Sequence, residues 1–258
     1  MKQNLNLSLI QSNLVWEDVT ANLSHFEELI SSIKDPDIIL LPEMFNTSFC
    51  PKSKHLAESM EGKTINWMKD ISKTKGCAIA GTLMIKESKN IFNRLVWISK
   101  KGIVYTYDKH HLFSLIKEGK YITKGKQRII LELEGWKICP LICYDLRFPV
   151  FSRNDVEYDV LIYLANWPVK RIDAWDTLLK ARSIENQCYT IGVNRVGEDG
   201  NEISFNGHSK VFDAFGKELF STTENNEEVL QAEISLDDLK LKRRQMNFLQ
   251  DRDDFILQ

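Results

Sequence analysis

The sequence has no apolar run long enough to cross a bilayer. Its longest, such as "IILL" and "VLIYLA", fall far short of the roughly 20 residues a span requires. It has no CxxC pair. The five cysteines, Cys50, Cys77, Cys139, Cys143 and Cys188, are odd in number and irregularly spaced. That excludes a disulfide framework and leads us to expect a reduced, cytoplasmic protein. No Pro/Gly/Ser-rich stretch interrupts the 258 residues, so a single domain over 1–258 is expected, with the tail from about 235 serving packing or dimer contacts. No concentrated basic face accompanies the net charge of -2, which argues against nucleic acid as a partner. The one basic cluster, "KLKRR" at 240–244, follows Asp237 and Asp238 and reads as a solvated helix face. The opening "MKQNLNLSLIQSN" lacks the apolar core and cleavage site of a leader.

What the sequence does have is alternation between strand and helix patterns along its whole length. "LNLSLIQSN" reads as a strand and "VTANLSHFEELISSI" as a helix, with Leu23, Phe26, Leu29 and Ile30 at helical spacing. "PDIILLPEMF" contains a short strand buried on both faces. "TINWMKDISKTKG" reads as a helix stopped at Gly76. "CAIAGTLMI" is the next strand. Hairpins are predicted about Lys101-Gly102, about Glu134-Gly135 and at Gly216. "YDVLIYLAN" and "YTIGVNRVG" read as single strands. Between them lies a helix with Ala174, Leu178, Ala181 and Ile184 or Glu185 along one side. A final strand and helix cover "EVLQAEISLDDLKLKRRQM". Strand–helix–strand units interleaved with hairpins exclude a purely parallel sheet. Two mixed sheets packed face to face, with helices outside, accommodate all these elements.

Three reactive residues each end an apolar strand. Glu43 follows "IILLP", Lys109 follows "GIVYTYD" and Cys143 follows "KICPLI". Strand ends are where side chains of sheet-based folds converge on a cleft. A carboxylate, an ammonium and a thiol brought together there would suit attack on a carbonyl. The other four cysteines sit within apolar segments and read as small buried hydrophobes.

The segments "LLPEMF", "YDKHHLF" and "ICYDLRFP" resemble the three signature segments of the nitrilase superfamily of carbon–nitrogen hydrolases. They stand in that family's order, with Glu43 and Lys109 66 residues apart and Lys109 and Cys143 34 apart. "YLANWP" and "LLKARSIENQCYTIGVNRVG" extend the resemblance, and "NWPVKRIDAW" with "CYDLRFP" points to its omega-amidase branch. The resemblance implies a four-layer αββα sandwich, at least a homodimer, and hydrolysis of the terminal amide of a small 2-oxo dicarboxylic acid monoamide through a Cys thioester. No metal or organic cofactor is implied. It also implies catalytic roles for Glu43, Lys109 and Cys143, and for Glu118 as a second glutamate that positions substrate or water. The backbone N–H of Tyr144 would be a second donor to the oxyanion. Arg147, and less directly Arg171, would offer a cation to a substrate carboxylate. Asn166, Trp167, Phe113 and Tyr121 would line the cleft.

Other readings remain open at this point. A Cys–His enzyme would use His110, His111 or His208 as its base. Another acyl group, a nitrile or a carbamoyl amide would suit the same three residues, and a relative that kept only the fold would bind without turnover.

Overall fold

The computed structural model describes residues 2–254, so residues 255–258 of the expected C-terminal packing segment lie outside the described residues. Strands β1 (Asn4–Gln11), β2 (Ile38–Leu40), β3 (Ala78–Glu87), β4 (Asn90–Ile98), β5 (Val104–Asp108) and β14 (Glu228–Ser235) form one sheet, in the order β14-β1-β2-β3-β4-β5. The second sheet contains β6 (Leu131–Leu133), β7 (Trp136–Ile142), β8 (Val160–Leu164), β9 (Tyr189–Val193), β12 (Lys210–Phe212) and β13 (Glu218–Ser221), ordered β13-β12-β9-β8-β7-β6. Each sheet has three parallel strands at its centre and antiparallel strands on both sides. This is the mixed arrangement the interleaved patterns predict. The Glu134-Gly135 hairpin is a two-residue loop with φ of 53° and 89°, the left-handed pair a tight turn between twisted strands demands.

The two-residue period of the strands builds the layers. Leu5, Leu7, Leu9, Ile38, Leu40, Ala78, Ala80, Leu95 and Trp97 face the second sheet and share one core with it. Ile10, Ile39, Leu41, Ile79, Leu83, Val96 and Ile98 point the other way. There they meet Leu23, Phe26 and Ile30 of α1 (Val19–Ser31) and Ile65, Met68 and Ile71 of α2 (Lys63–Lys75). Asp18 caps α1 by accepting from the Ala21 N–H at 2.9 Å, and α2 ends at Gly76 with φ 64°. On the far side α3 (Ile172–Asn186) packs on the second sheet, giving the αββα order. A fourth helix, α4 (Leu236–Gln245), follows β14.

Three details differ from the sequence reading. Helix α3 buries Trp175, Leu179, Arg182, Ser183 and Asn186, not the line through Ala174, Leu178, Ala181 and Ile184. Trp175 and Leu179 can approach because Gly192 on β9 has no side chain; a Cβ there would lie 2.6 and 2.5 Å from them. The rest of that buried face is polar: Arg182 donates to Leu146 O and Glu185, Ser183 donates to Lys180 O, and Asn186 Oδ1 accepts from the Asn154 N–H, so apolar periodicity points to the wrong side. Second, "YTIGVNRVG" breaks after Val193. Its end becomes β10 (Val196–Glu198), which pairs with β11 (Ser204–Asn206) in a separate hairpin. The buried Arg195 guanidinium forces this break by donating to Ser48 Oγ and to the carbonyls of Leu14, Val196 and Glu198. Third, the basic cluster in α4 is only partly solvated: Arg243 donates to Asp159 and to the Tyr158 and Gln187 carbonyls.

Candidate active site

The C-terminal ends of the central strands of both sheets open at the same edge. Leu41 N–H still bonds to Ala80 O at 2.8 Å, after which the chain leaves β2 and Glu43 turns into the space between the sheets. Lys109 lies just beyond β5. Its N–H donates to Asn93 O at 2.9 Å, so the ladder carries its side chain inward beside Asn93. Lys109 Nζ donates to Glu43 Oε1 at 2.9 Å and sits 3.2 Å from each oxygen of Glu118. All three side chains are essentially withdrawn from solvent. Glu118 lies behind the lysine, away from the cleft. It is fixed there by the Phe113 N–H, 2.6 Å from Oε2.

Cys143 comes from the second sheet. It is the first residue after β7 and takes φ 40°, a left-handed conformation that costs a non-glycine residue about 1–3 kcal/mol. Asp145 over-determines this elbow. Its buried carboxylate accepts from the Ile142 N–H (3.1 Å), the Tyr107 hydroxyl (2.7 Å), and the His111 N–H (3.0 Å). One side chain thus ties the turn that carries Cys143 to the segment that carries Lys109. The Cys143 sulfur lies 3.9 Å from Asn166 O, at the end of the neighbouring β8. Tyr144 is among the leading amides of a helical turn, Cys143–Arg147, and such amides have no acceptor within their own turn.

The cleft is small and is lined by Glu43, Lys109, Cys143, Tyr144, Asn166 and Trp167 with Phe49, Phe113, Pro168, Arg147 and Arg171. Arg147 lies over the Trp167 ring at 4.8 Å and Arg171 over Phe113 at 5.1 Å. Neither guanidinium has a carboxylate partner among the described residues. Tyr121 does not line the cleft. It faces a separate cavity with Trp16, Cys50 and Ile203, and its ring packs beneath Lys54. The histidines lie outside it too. His111 Nδ1 is 2.8 Å from Asp145, His208 Nδ1 is 2.8 Å from Asp176, and His110 Nδ1 is 3.0 Å from Gly125 O. No cluster of metal-ligating side chains occurs among the described residues.

A thiol, a carboxylate and an ammonium therefore meet at one cleft, in an αββα sandwich. Compared with known families, residues 6–244 match the carbon–nitrogen hydrolase model. The chain belongs to the carbon–nitrogen hydrolase family. This hydrolase is 41% identical over 253 residues to an omega-amidase, YafV, of Yersinia enterocolitica, covering 98% of both chains. It is 33% identical to a 2-oxoglutaramate amidase of Bacillus subtilis, covering 89% of this chain and 90% of the other. Among solved structures, a CN-hydrolase superfamily protein from Xanthomonas campestris superposes with a TM-score of 0.97 at 37% identity and 100% coverage of both chains. That protein carries an arsenic adduct in its active site.

Charge in the hydrolase's site is distributed unevenly. Burial alone would push the Lys109 ammonium down, but Glu118 and Glu43 outweigh it and hold the lysine charged far into alkaline pH. Burial raises the Glu118 carboxyl, with Lys109 opposing. Burial and then the Glu43 charge push the Cys143 thiol well above the ordinary thiol range, and Lys109 pulls the other way. Cys143 thus rests as the thiol. Cys50 is raised to about 11 and Cys77, Cys139 and Cys188 to about 12, chiefly by burial, and all four are almost wholly inaccessible.

Asp145 and Pro168 lie within the quoted segments without a role read from them, and three residues of the site lie outside those segments: Phe49, Asn93 and Thr82. A signal existed for the last two. Thr82 shares the strand parity of Ala78 and Ala80, and Asn93 that of Leu95 and Trp97, so both are polar groups at inward positions. A buried polar side chain must find a partner, and here the partners lead to Glu43.

Proposed function

We propose that this hydrolase is an omega-amidase, cleaving the terminal amide of a small 2-oxo dicarboxylic acid monoamide such as 2-oxoglutaramate or 2-oxosuccinamate to the acid and ammonia. Glu43 takes the proton of Cys143 as the sulfur attacks the amide carbonyl. The oxygen's negative charge develops between Lys109 Nζ and the Tyr144 N–H. Protonated Glu43 passes its proton to the departing nitrogen, ammonia leaves, and a Cys143 thioester remains. Glu43 then accepts a proton from water, which attacks the thioester, and the acid is released as the thiol re-forms. Glu118 acts through Lys109, holding its ammonium in place.

The observation that carries the substrate class is the pair of guanidiniums, Arg147 and Arg171, on the cleft wall without a carboxylate partner. Two such cations held on aromatic faces suit a substrate that brings its own carboxylate. The amidase names of the relatives agree with this reading. The test is ammonia release across 2-oxo monoamides, glutamine, neutral amides and nitriles. The 2-oxo monoamides should give the highest kcat/KM, and Cys143→Ala should give no turnover. Arg147→Met and Arg171→Met should each raise KM for the 2-oxo monoamide roughly 10- to 100-fold, the worth of a charged hydrogen bond, and spare neutral amides. Turnover confined to nitriles or carbamoyl compounds would overturn the assignment.

We also infer a reducing compartment, supported by five unpaired cysteines, and at least a homodimer. The half-buried Ala174, Leu178 and Ala181 and the exposed Ile184 of α3 supply an apolar face for such a pairing. A monomer in sedimentation at micromolar concentration would rule the pairing out.

A further inference from the structure

Glu43 is held by more than Lys109. Its Oε1 accepts from Lys109 Nζ at 2.9 Å and from Asn93 Nδ2 at 2.8 Å. Among the described residues its Oε2 accepts from the Asn166 N–H alone, at 2.9 Å. The orientation of the Asn93 amide is fixed from behind. Thr82 Oγ1 accepts from the Met44 N–H at 2.8 Å, so its own proton goes to Asn93 Oδ1, also at 2.8 Å. With its oxygen engaged, the Asn93 amide can present only its NH₂ to the carboxylate. The bonds form a closed ring: the Met44 backbone, Thr82, Asn93 and the Glu43 side chain, one residue from where it began. Met44 itself stands at φ 43°, and the ring pins that strained residue. Thr82, Asn93 and Met44 are all completely buried.

We propose that the Thr82–Asn93 relay is a positioning device for the base. It saturates Oε1 and leaves Oε2 as the oxygen that takes the Cys143 proton and returns it to the leaving nitrogen. Neither residue touches substrate. Both act through Glu43, so the proposal rests on the reading of Glu43 as the general base. The charged or titratable groups that face Glu43 are Lys109, with Glu118 behind it, and the Cys143 thiol, with Tyr144, Arg147 and Arg171 on the wall of the same cleft. Among the described residues Asn93 is thus the uncharged side chain that donates a hydrogen bond to the carboxylate. A fixed donor favours the ionised carboxylate, so losing it moves the acid limb of the rate profile to higher pH.

The test compares Thr82→Ser, Thr82→Val and Asn93→Leu in the full-length enzyme, with Glu43→Gln and Cys143→Ala as controls. Thr82→Ser keeps the hydroxyl and should retain near wild-type kcat. Thr82→Val keeps the shape and removes the hydroxyl; it and Asn93→Leu should lower kcat roughly 10- to 100-fold with KM little changed. In both, the acid limb of kcat/KM should move to higher pH. Alkylation of Cys143 and thermal unfolding report whether each variant is folded. Should Thr82→Val unfold, Asn93→Leu and Thr82→Ser carry the comparison. A uniform rate loss with an unmoved acid limb, or equal loss in Thr82→Ser, would overturn the relay while leaving Glu43 as base. Turnover surviving in Glu43→Gln would instead overturn the reading beneath it.

Discussion

Glu43→Gln is expected to lower amide turnover by roughly 10²- to 10⁴-fold, the usual worth of a positioned general acid–base group, while Cys143 remains open to alkylation. The two effects separate because they depend on different properties of the same side chain. Turnover needs a group that takes a proton from sulfur and gives it to nitrogen, and an amide side chain can do neither. Thiol acidity responds to charge. The Cys143 thiol is held high by burial and by the Glu43 carboxylate. Removing the carboxylate's charge must therefore lower the midpoint of alkylation with pH. Glutamine can still accept from Asn93 and Lys109 through its carbonyl oxygen, and the structural cost is the one bond lost where its NH₂ faces the Asn166 N–H. Iodoacetamide labelling followed by mass spectrometry across pH reads the midpoint, and ammonia release reads the turnover. Labelling should stay on Cys143, because the other four thiols are buried. A midpoint that rises in this variant contradicts the charge argument.

Lys109→Met should do the opposite to the thiol and more to the fold. Lys109 lowers the Cys143 pKa, so its loss must raise the alkylation midpoint. Turnover should fall by roughly 10²- to 10³-fold through loss of the oxyanion's cation. The stability cost should be large as well, because Glu43 and Glu118 are left facing each other in a dry interior. Removing one partner of a buried ion pair costs about 3–5 kcal/mol, and here two carboxylates lose the same partner. The deficit should depend on pH. Burial already raises the Glu118 carboxyl in the native state, and losing Lys109 removes what opposes that. A carboxyl whose folded affinity for a proton exceeds its unfolded one is stabilising at low pH, and that contribution is lost as pH rises. Urea unfolding should therefore show a larger deficit at pH 8 than at pH 5. Equal stability at both, or none lost, would mean that the two glutamates do not depend on Lys109.

The sequence by itself determined the layers and the order of the chemistry. Two-residue alternation in "LNLSLI", the doubly apolar "IILL" and the glycine-marked hairpins require mixed sheets buried on both faces, and Glu43, Lys109 and Cys143 stand visibly at strand ends. These signals are local: each depends on the pattern within one element. Only the tertiary structure decided what depends on two elements at once. It placed Tyr121 in another cavity, put Glu118 behind the lysine, and left Arg147 and Arg171 over aromatic rings without carboxylates. It turned α3 onto a half-polar face because Gly192 offered room there. It also closed the ring through Thr82 and Asn93, whose meaning rests on the register of β3 against β4 and on a turn that begins in β2. Hydrogen bonds between strands far apart in sequence leave no periodicity to read, only a polar residue where an apolar one is expected.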